Sequence, residues 1–100
     1  MKVRWSVRAL RDVEDIYHHV AADKPEAARH LAEKLVLAGD ELAHHPFLGR
    51  PGRPGLRELI VGNYLIVYRV LEDFSPTTGH RTPPPVEIVT VVHGARRRRK

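Results

Sequence analysis

Two β-rich runs flank the dipeptide Gly62-Asn63, and this arrangement constrains the fold more than any other stretch of the sequence. The runs, residues 56–61 and 64–72, are dominated by residues that favour strands. Glycine adopts positive φ angles freely, and asparagine does so more readily than most residues, so the pair suits a two-residue hairpin loop. The sequence therefore predicts an antiparallel β-hairpin in the second half of the chain.

Two amphipathic helices are predicted in the first half of the chain. Residues 7–22 carry apolar side chains at three- and four-residue intervals, and Ser6 before them is a suitable N-cap. Pro25 suits the first turn of a second helix ending near residue 44, because its missing N–H would have no partner there. The apolar stripes are Ala9, Leu10, Val13, Ile16, Tyr17 and Val20 in the first helix, and Leu31, Leu35, Ala38 and Leu42 in the second.

One further strand is predicted near each end of the chain. Residues 2–6 alternate apolar and polar side chains, as in a strand buried on one face. Residues 86–92 are apolar at nearly every position, which is typical of a central strand buried on both faces. The order β-α-α-β-β-β predicts an α+β domain, with an N-terminal strand and an antiparallel helical hairpin packed on a small, mainly antiparallel sheet.

Two connecting segments are rich in proline and glycine. Residues 46–55 contain three prolines and three glycines and are predicted to form a loop. We expect Phe47 and Leu48 to anchor this loop to the core. Residues 74–85 are polar and proline-rich, which is typical of a long connection between elements.

The composition indicates one cytoplasmic domain with a basic tail. The chain has 100 residues, no apolar run long enough to span a membrane and no cysteine. Its net charge is +5, and the last five residues carry five positive charges, so residues 1–95 are formally neutral. We therefore divide the chain into a single domain, residues 1–95, and a tail, residues 96–100. We expect no membrane contact, no metal and no cofactor, since no metal-ligand spacing or phosphate loop is present.

Six short motifs follow one another in order along nearly the whole chain. They are Trp5 with the helix that opens after it, Ala22-Asp23-Lys24-Pro25-Glu26-Ala27-Ala28, His45-Pro46-Phe47-Leu48-Gly49-Arg50-Pro51-Gly52, Leu56-Arg57-Glu58-Leu59-Ile60-Val61, Asn63-Tyr64-Leu65-Ile66-Val67-Tyr68-Arg69-Val70 and His93-Gly94-Ala95-Arg96. The ordered set resembles the RelE/ParE superfamily of bacterial type II toxins, sometimes labelled plasmid stabilisation proteins. The resemblance implies a toxin that arrests growth and is neutralised by an antitoxin encoded beside it. The antitoxin's C-terminal segment is expected to lie on apolar surface left exposed by the helices and the sheet.

The resemblance leaves two targets, because RelE-like members cut messenger RNA in the ribosome and ParE-like members inhibit DNA gyrase. RelE-like ribonucleases carry lysines on the first hairpin strand and an arginine after the aromatic residue that opens the second. They also carry an arginine after the last strand and often a late tyrosine. Here the first strand offers Arg57 and Glu58, Leu65 follows the aromatic Tyr64, and only Arg96 matches well. The resemblance therefore favours a non-enzymatic gyrase inhibitor that acts by protein–protein contact.

The candidate site residues are polar groups on the hairpin and around the end of the last strand. Those expected to contact the target or the antitoxin are Arg57, Glu58, Tyr68, Arg69, His93, Arg96 and Arg97. The alternative function is a RelE-like, ribosome-dependent mRNA endonuclease, whose catalytic set would be Arg57, Arg69, His93 and Arg96. A third possibility is an antitoxin-bound interaction protein that has lost its toxicity.

Each of these residues also has a plain structural interpretation. Arg57 and Glu58 are adjacent in a strand and point to opposite faces, so one of them is expected in an ion pair, for instance with Arg69. Tyr68 is expected to be a buried core aromatic, with a base-stacking role as the alternative. His93 is expected to have a structural or interface role, with acid–base catalysis as the alternative.

Overall fold

The computed structural model describes residues 3–71 and 84–94. Most of the expected connection at 74–85, and the whole basic tail with Arg96 and Arg97, lie outside the described residues. The elements are β1 (Val3–Trp5), α1 (Val7–Ala21), α2 (Pro25–Glu41), β2 (Arg50–Pro51), β3 (Arg57–Val61), β4 (Tyr64–Val70) and β5 (Val86–His93). The predicted α+β class is confirmed, and the two-residue strand β2 is an addition inside the predicted loop. Within the described residues, neither helix has the length and apolar character needed to cross a membrane.

The described strands form one sheet in the order β1-β5-β4-β3-β2. β1 runs parallel to β5, and the other neighbouring strands are antiparallel. The centre of the sheet is β4, in which residues 65–68 are all buried. The expectation of burial on both faces was therefore wrong for β5, in which only Val86, Ile88 and Val91 are buried. The reason is that the helices pack on one face of the sheet, so the side chains of β5 on the other face stay partly exposed. Beyond its first three residues, β5 also has no β1 partner on its outer side.

The hairpin between β3 and β4 has the predicted two-residue loop. Val61 pairs with Tyr64, and the two residues between them form the turn. Gly62 has a φ of 60°, a left-handed conformation that glycine adopts without strain. Within the described residues only glycines have positive φ, so Gly62 alone supplies this conformation and Asn63 does not. A glycine at the first turn position is typical of a type II′ hairpin.

The start of α1 covers the edge of β5 that β1 leaves open. The Ser6 hydroxyl accepts a hydrogen bond from the Ala9 N–H at 2.9 Å, which confirms the predicted N-cap. The same hydroxyl donates to the Val89 carbonyl at 2.8 Å. Six residues later, the Asp12 carboxylate accepts the Val91 N–H at 2.9 Å. These contacts occupy backbone groups that would otherwise be open to another strand.

The core lies between the helices and one face of the sheet. The α2 stripe packs as predicted, with Leu35 and Leu42 fully buried and the remaining members packed around them. The α1 stripe was wrong at Leu10, which is 54% exposed. Because α1 packs against α2 and β5 through a narrower strip, only Ala9 of that helix is fully buried.

Gly39 lies in the last turn of α2, at the point where Trp5 of β1 packs on the helix. A Cβ atom at this position would collide with two atoms of the Trp5 ring, Cζ2 and Cη2, and would lie 2.9 Å from Cδ1 of Ile88. Contacts this short require the ring or the helix to move. The glycine is therefore explained by packing, although it weakens the helix by about 1 kcal/mol relative to alanine.

We predict that Gly39→Ala destabilises the protein by about 1–3 kcal/mol, because overpacking exceeds the gain in helix propensity. Chemical denaturation of the purified chain measures the change. Trp5→Phe, which shortens the ring, is expected to recover part of the loss in the double variant, with a coupling energy of about 1 kcal/mol. A Gly39→Ala protein as stable as the parent chain would contradict this explanation.

Candidate functional site

The hydroxyl of Tyr68 connects the centre of the sheet to the loop of residues 46–49. Tyr68 is fully buried, and its hydroxyl donates a hydrogen bond to the Pro46 carbonyl at 2.8 Å. It also accepts the Gly49 N–H at 2.8 Å, and the Arg57 guanidinium donates to the Gly49 carbonyl. A Cβ at residue 49 would lie 2.8 Å from the Glu58 carbonyl oxygen and from the Tyr68 ring, so glycine is required for this close approach.

This loop presents two apolar side chains to the solvent. Phe47 is 60% exposed and Leu48 is 56% exposed, so the expectation that they anchor the loop was wrong. The anchors are instead their buried neighbours, Pro46 and Gly49, because Tyr68 bonds to the backbone on both sides of the exposed pair. The Arg57 guanidinium lies 5.0 Å from the centre of the Phe47 ring, within the range of a cation–π contact.

Two ion pairs join neighbouring strands of the described sheet. Arg69 lies 2.7 Å from the Glu87 carboxylate, and Glu58 lies 3.6 Å from Arg50. The expected ion pair of Arg69 with the 57–58 pair was therefore wrong. The register explains the difference, because Glu87 is directly opposite Arg69 whereas Glu58 is opposite Val67, two residues away along β4.

His93 lies at the end of β5, beside the tip of the hairpin. It pairs with Tyr64 of β4, and the two rings meet edge to face at 5.1 Å. A cavity of about 330 Å³ opens here, with Arg50, Asn63, Tyr64, Leu65 and His93 among its lining residues. His93 is exposed at this position, whereas Leu65 is only 4% exposed.

The proposed catalytic residues do not converge on one point. Arg57 pairs with Tyr68 and shares its face, whereas Arg69, the next residue along, points to the opposite face. His93 is opposite Tyr64, four residues from Tyr68, which is about 13 Å along the strand. Arg96 lies outside the described residues. Three of the four candidates therefore occupy separate places on the sheet.

The candidate contact residues differ in what they offer a partner. Arg69 and His93 are exposed, although Arg69 is paired with Glu87. Arg57 is half-buried against the 46–49 loop, and the Glu58 side chain is only 12% exposed. Tyr68 is buried, as the core interpretation expected, so its effect on binding acts through the loop that it holds. Arg97, like Arg96, lies outside the described residues, and no group of three metal-ligating side chains is found within them.

An exposed apolar groove was not among the sequence-based candidates. It lies between α2 and the outer edge of β3, has a volume of about 360 Å³, and is lined in part by Lys34, Ala38, Glu41, Leu48, Leu59 and Ile60. We call it the β3–α2 groove. Ile60 is 57% exposed. Residues 59–61 are all apolar, and strand alternation places Ile60 on the opposite face from its neighbours, which is the signal that was available in the sequence.

Comparisons with known proteins give a consistent result. Residues 3–98 match the family model of the ParE toxin of the type II toxin–antitoxin system parDE. The candidate toxin Y4kP of Sinorhizobium fredii is 37% identical over 95 residues, covering 92% of this chain and 86% of that protein. Toxin RelE2 of Caulobacter vibrioides is 35% identical over 96 residues, covering 95% and 97%. A solved chain described as the chromosomal ParDE TA system from P. aeruginosa has the same fold, with a TM-score of 0.73 and 22% identity over 93% of this chain and 95% of that one.

The contacts of Tyr68 predict a pH dependence of stability. Burial raises the pKa of Tyr68 above its ordinary value of 10.0, and the Gly49 N–H and the Arg57 guanidinium act in the opposite direction with smaller effects. The folded protein therefore retains this proton at a pH where the unfolded chain has lost it. The corresponding stability is present below pH 10 and is lost as the pH rises through the raised pKa.

We predict that Tyr68→Phe lowers the free energy of unfolding at pH 8 by about 1–3 kcal/mol, because two buried backbone groups lose their partner. The difference from the parent chain is expected to shrink above pH 10, since the variant lacks the titrating group. Urea denaturation at pH 8 and at higher pH measures both effects. Tyr64→Phe, on the same face of β4 but half-buried, is the matched control and is expected to change stability little at pH 8. A difference that grows with pH would contradict the assignment.

Proposed function

The chain belongs to the ParE family of toxins of type II toxin–antitoxin systems, and from this membership we propose that it arrests growth by inhibiting DNA gyrase through protein–protein contact. The inhibitor would act without chemistry of its own. An antitoxin partner is implied by the system to which such a toxin belongs.

The observation that carries the gyrase proposal is the dispersal of the polar side chains over the sheet. Cleavage of RNA by its own 2′-hydroxyl needs a base, an acid and cations gathered at one phosphate. Arg57 and Arg69 point to opposite faces, and each already has a partner within the protein. Leu65, in the position where a RelE-like ribonuclease carries a cation, is buried. The arrangement supports binding more than catalysis.

The second candidate is a RelE-like mRNA endonuclease, and one observation favours it. The cavity beside the hairpin tip brings His93, Tyr64 and Arg50 to a common space. Histidine is the side chain best suited to proton transfer near neutral pH, and arginine can stabilise a phosphorane. A relative named RelE2 is also 35% identical to this chain. In this alternative the catalytic group would be centred on His93.

We predict that the purified chain inhibits supercoiling by DNA gyrase and leaves ribosome-bound messenger RNA intact. Both assays are run in parallel on the same preparation. Arg69→Ala, which removes an exposed cation from the sheet, is expected to weaken inhibition by about tenfold or less, as for a single contact at an interface. Arg53→Ala, in the exposed loop before β3, is the matched control and is expected to have no effect.

The two functions make opposite predictions for His93. Cleaved RNA together with unaffected gyrase would overturn the gyrase proposal, and loss of that cleavage in a folded His93→Ala variant would establish the endonuclease. If gyrase is inhibited instead, His93→Ala is expected to weaken that inhibition only by the loss of the contacts that the histidine ring makes with gyrase.

A further inference from the structure

The two helices carry exposed apolar side chains that the functions considered above do not use. Of the seven large apolar side chains that are exposed within the described residues, four lie on α1 and α2. We call these four, Val7, Leu10, Val36 and Leu37, the helix patch. Exposed apolar surface that is gathered in one place is typical of a binding site.

The positions of these residues around the helix axes turn them away from the sheet. Successive residues of a helix are about 100° apart around its axis. In α1, Asp12 contacts β5, and Leu10 lies two residues and about 160° away from it. In α2, Ala38 lines the groove beside β3, and Val36 again lies two residues and about 160° away. Leu10 and Val36 therefore both lie at the outer seam between the helices.

The short connection between the antiparallel helices determines which residues lie side by side. Leu10 is eleven residues before the end of α1, and Val36 is eleven residues after the start of α2, so the two are at the same level. Trp5, just before α1, donates a hydrogen bond to Asp40 near the end of α2, in agreement with this alignment. The helix patch is therefore one continuous surface at this end of the hairpin of helices.

The helix patch is complementary to itself. A two-fold axis that runs along the seam lays α1 of one copy on α2 of another, antiparallel and at the same level. Leu10 then meets the partner's Val36, and Val7 reaches the partner's Leu37. The same contacts occur a second time by symmetry. The four helices form a bundle in which every neighbouring pair is antiparallel.

The charges farther along the outer face agree with this arrangement. Arg11, Glu14, Arg29 and Glu33 are exposed there and form no ion pair within the described residues. On the two-fold axis described above, Arg11, the partner's Glu33, Glu14 and the partner's Arg29 follow one another within about 9 Å along the seam. Each carboxylate has an arginine within one helical turn, and the set is formally neutral. Charge repulsion therefore does not oppose the contact.

We propose that two copies of the chain associate through the outer faces of α1 and α2, with the helix patch of each copy on that of the other. Because the helices cover one face of the sheet, the opposite faces then point outward on the two sides of the dimer. Arg69 lies on this outward face, since the neighbouring Tyr68 points to the core. The dimer thus presents two copies of the surface that carries Arg69. The inference goes beyond the proposed function and does not depend on it.

The size of the contact predicts a weak dimer. The 15 residues of α1 and the 17 of α2 span about 22 and 26 Å. With helix axes about 10 Å apart, the outer face of the hairpin covers roughly 20 by 20 Å in each copy. The resulting total of about 800 Å² lies below the roughly 1,200 Å² of stable interfaces. We therefore expect a dissociation constant of about 10–100 µM.

The test is sedimentation equilibrium of the purified full chain over a concentration range of about 5–500 µM, which brackets this constant. Leu10→Glu and Val36→Lys each place an unpaired charge in the contact and are expected to weaken the dimer at least about tenfold. Both residues are exposed, so circular dichroism is expected to show that the variants fold. Ile60→Glu, which places the same charge on an exposed apolar residue outside the helix patch, is the matched control and is expected to associate like the parent chain.

An equimolar mixture of the two variants tests the symmetry of the contact. In the mixed dimer the introduced carboxylate faces the introduced ammonium at one contact, and Leu10 faces Val36 at the other. Association is therefore expected to return to within about threefold of the parent constant in the mixture, although each variant alone stays monomeric.

Four results would overturn the inference. A parent chain that remains monomeric at the highest concentration excludes the dimer. A dimer that persists in Leu10→Glu, or that is lost in Ile60→Glu, excludes the helix patch as its contact. A mixture of Leu10→Glu and Val36→Lys that stays monomeric excludes the packing of α1 on the partner's α2. The gyrase assay does not enter these outcomes, so a failure of the dimer and a failure of the proposed function are recorded separately.

Discussion

The hydrogen bonds of the Tyr68 hydroxyl link β4, the most buried strand of the sheet, to the loop of residues 46–49, which lies outside the sheet. Removing the hydroxyl would leave the Pro46 carbonyl and the Gly49 N–H without partners in a buried place, at a cost of about 1–3 kcal/mol. The same bonds determine where β2 begins, because Gly49 is joined to side chains of β4 and β3 and not to the β3 backbone. The shape of the outer edge of the sheet follows from this one residue.

On the described surface, the paired charged side chains and the exposed apolar side chains lie in different places. Two ion pairs join neighbouring strands of the sheet, Arg69 with Glu87 and Arg50 with Glu58. Apolar side chains at Leu48 and Ile60 remain exposed around a groove. Exposed apolar surface of this kind in a small protein is typical of a binding site. The arrangement is that of a protein whose function depends on partners, in keeping with its membership of the ParE toxin family.

Much of the fold could be predicted because it depends on local signals. Ser6 as an N-cap, Pro25 at the start of α2 and the two-residue hairpin loop were all found where predicted. Three of the errors have a common cause. Leu10, Phe47 and Leu48 are apolar residues that were assigned to the core but are exposed. A sequence pattern identifies apolar residues, but it does not say which surface they pack against. Where two elements meet over a narrow area, some apolar side chains therefore stay exposed to solvent.

The sequence by itself determined the α+β class, the family and the order of the elements other than β2, because helix periodicity, caps, turn residues and ordered motifs are properties of neighbouring residues. Only the tertiary structure decided which side chains share a site. The register placed Arg69 opposite Glu87. It also placed His93 opposite Tyr64 and Arg57 opposite Tyr68, two positions that lie about 13 Å apart along β4. Likewise, the backbone of Ile60 has no strand partner within the described residues because Tyr68, 19 residues from Gly49 in the sequence, binds Gly49 and keeps it out of the ladder with β3. Contacts between distant residues depend on how the elements pack, and no local pattern records that.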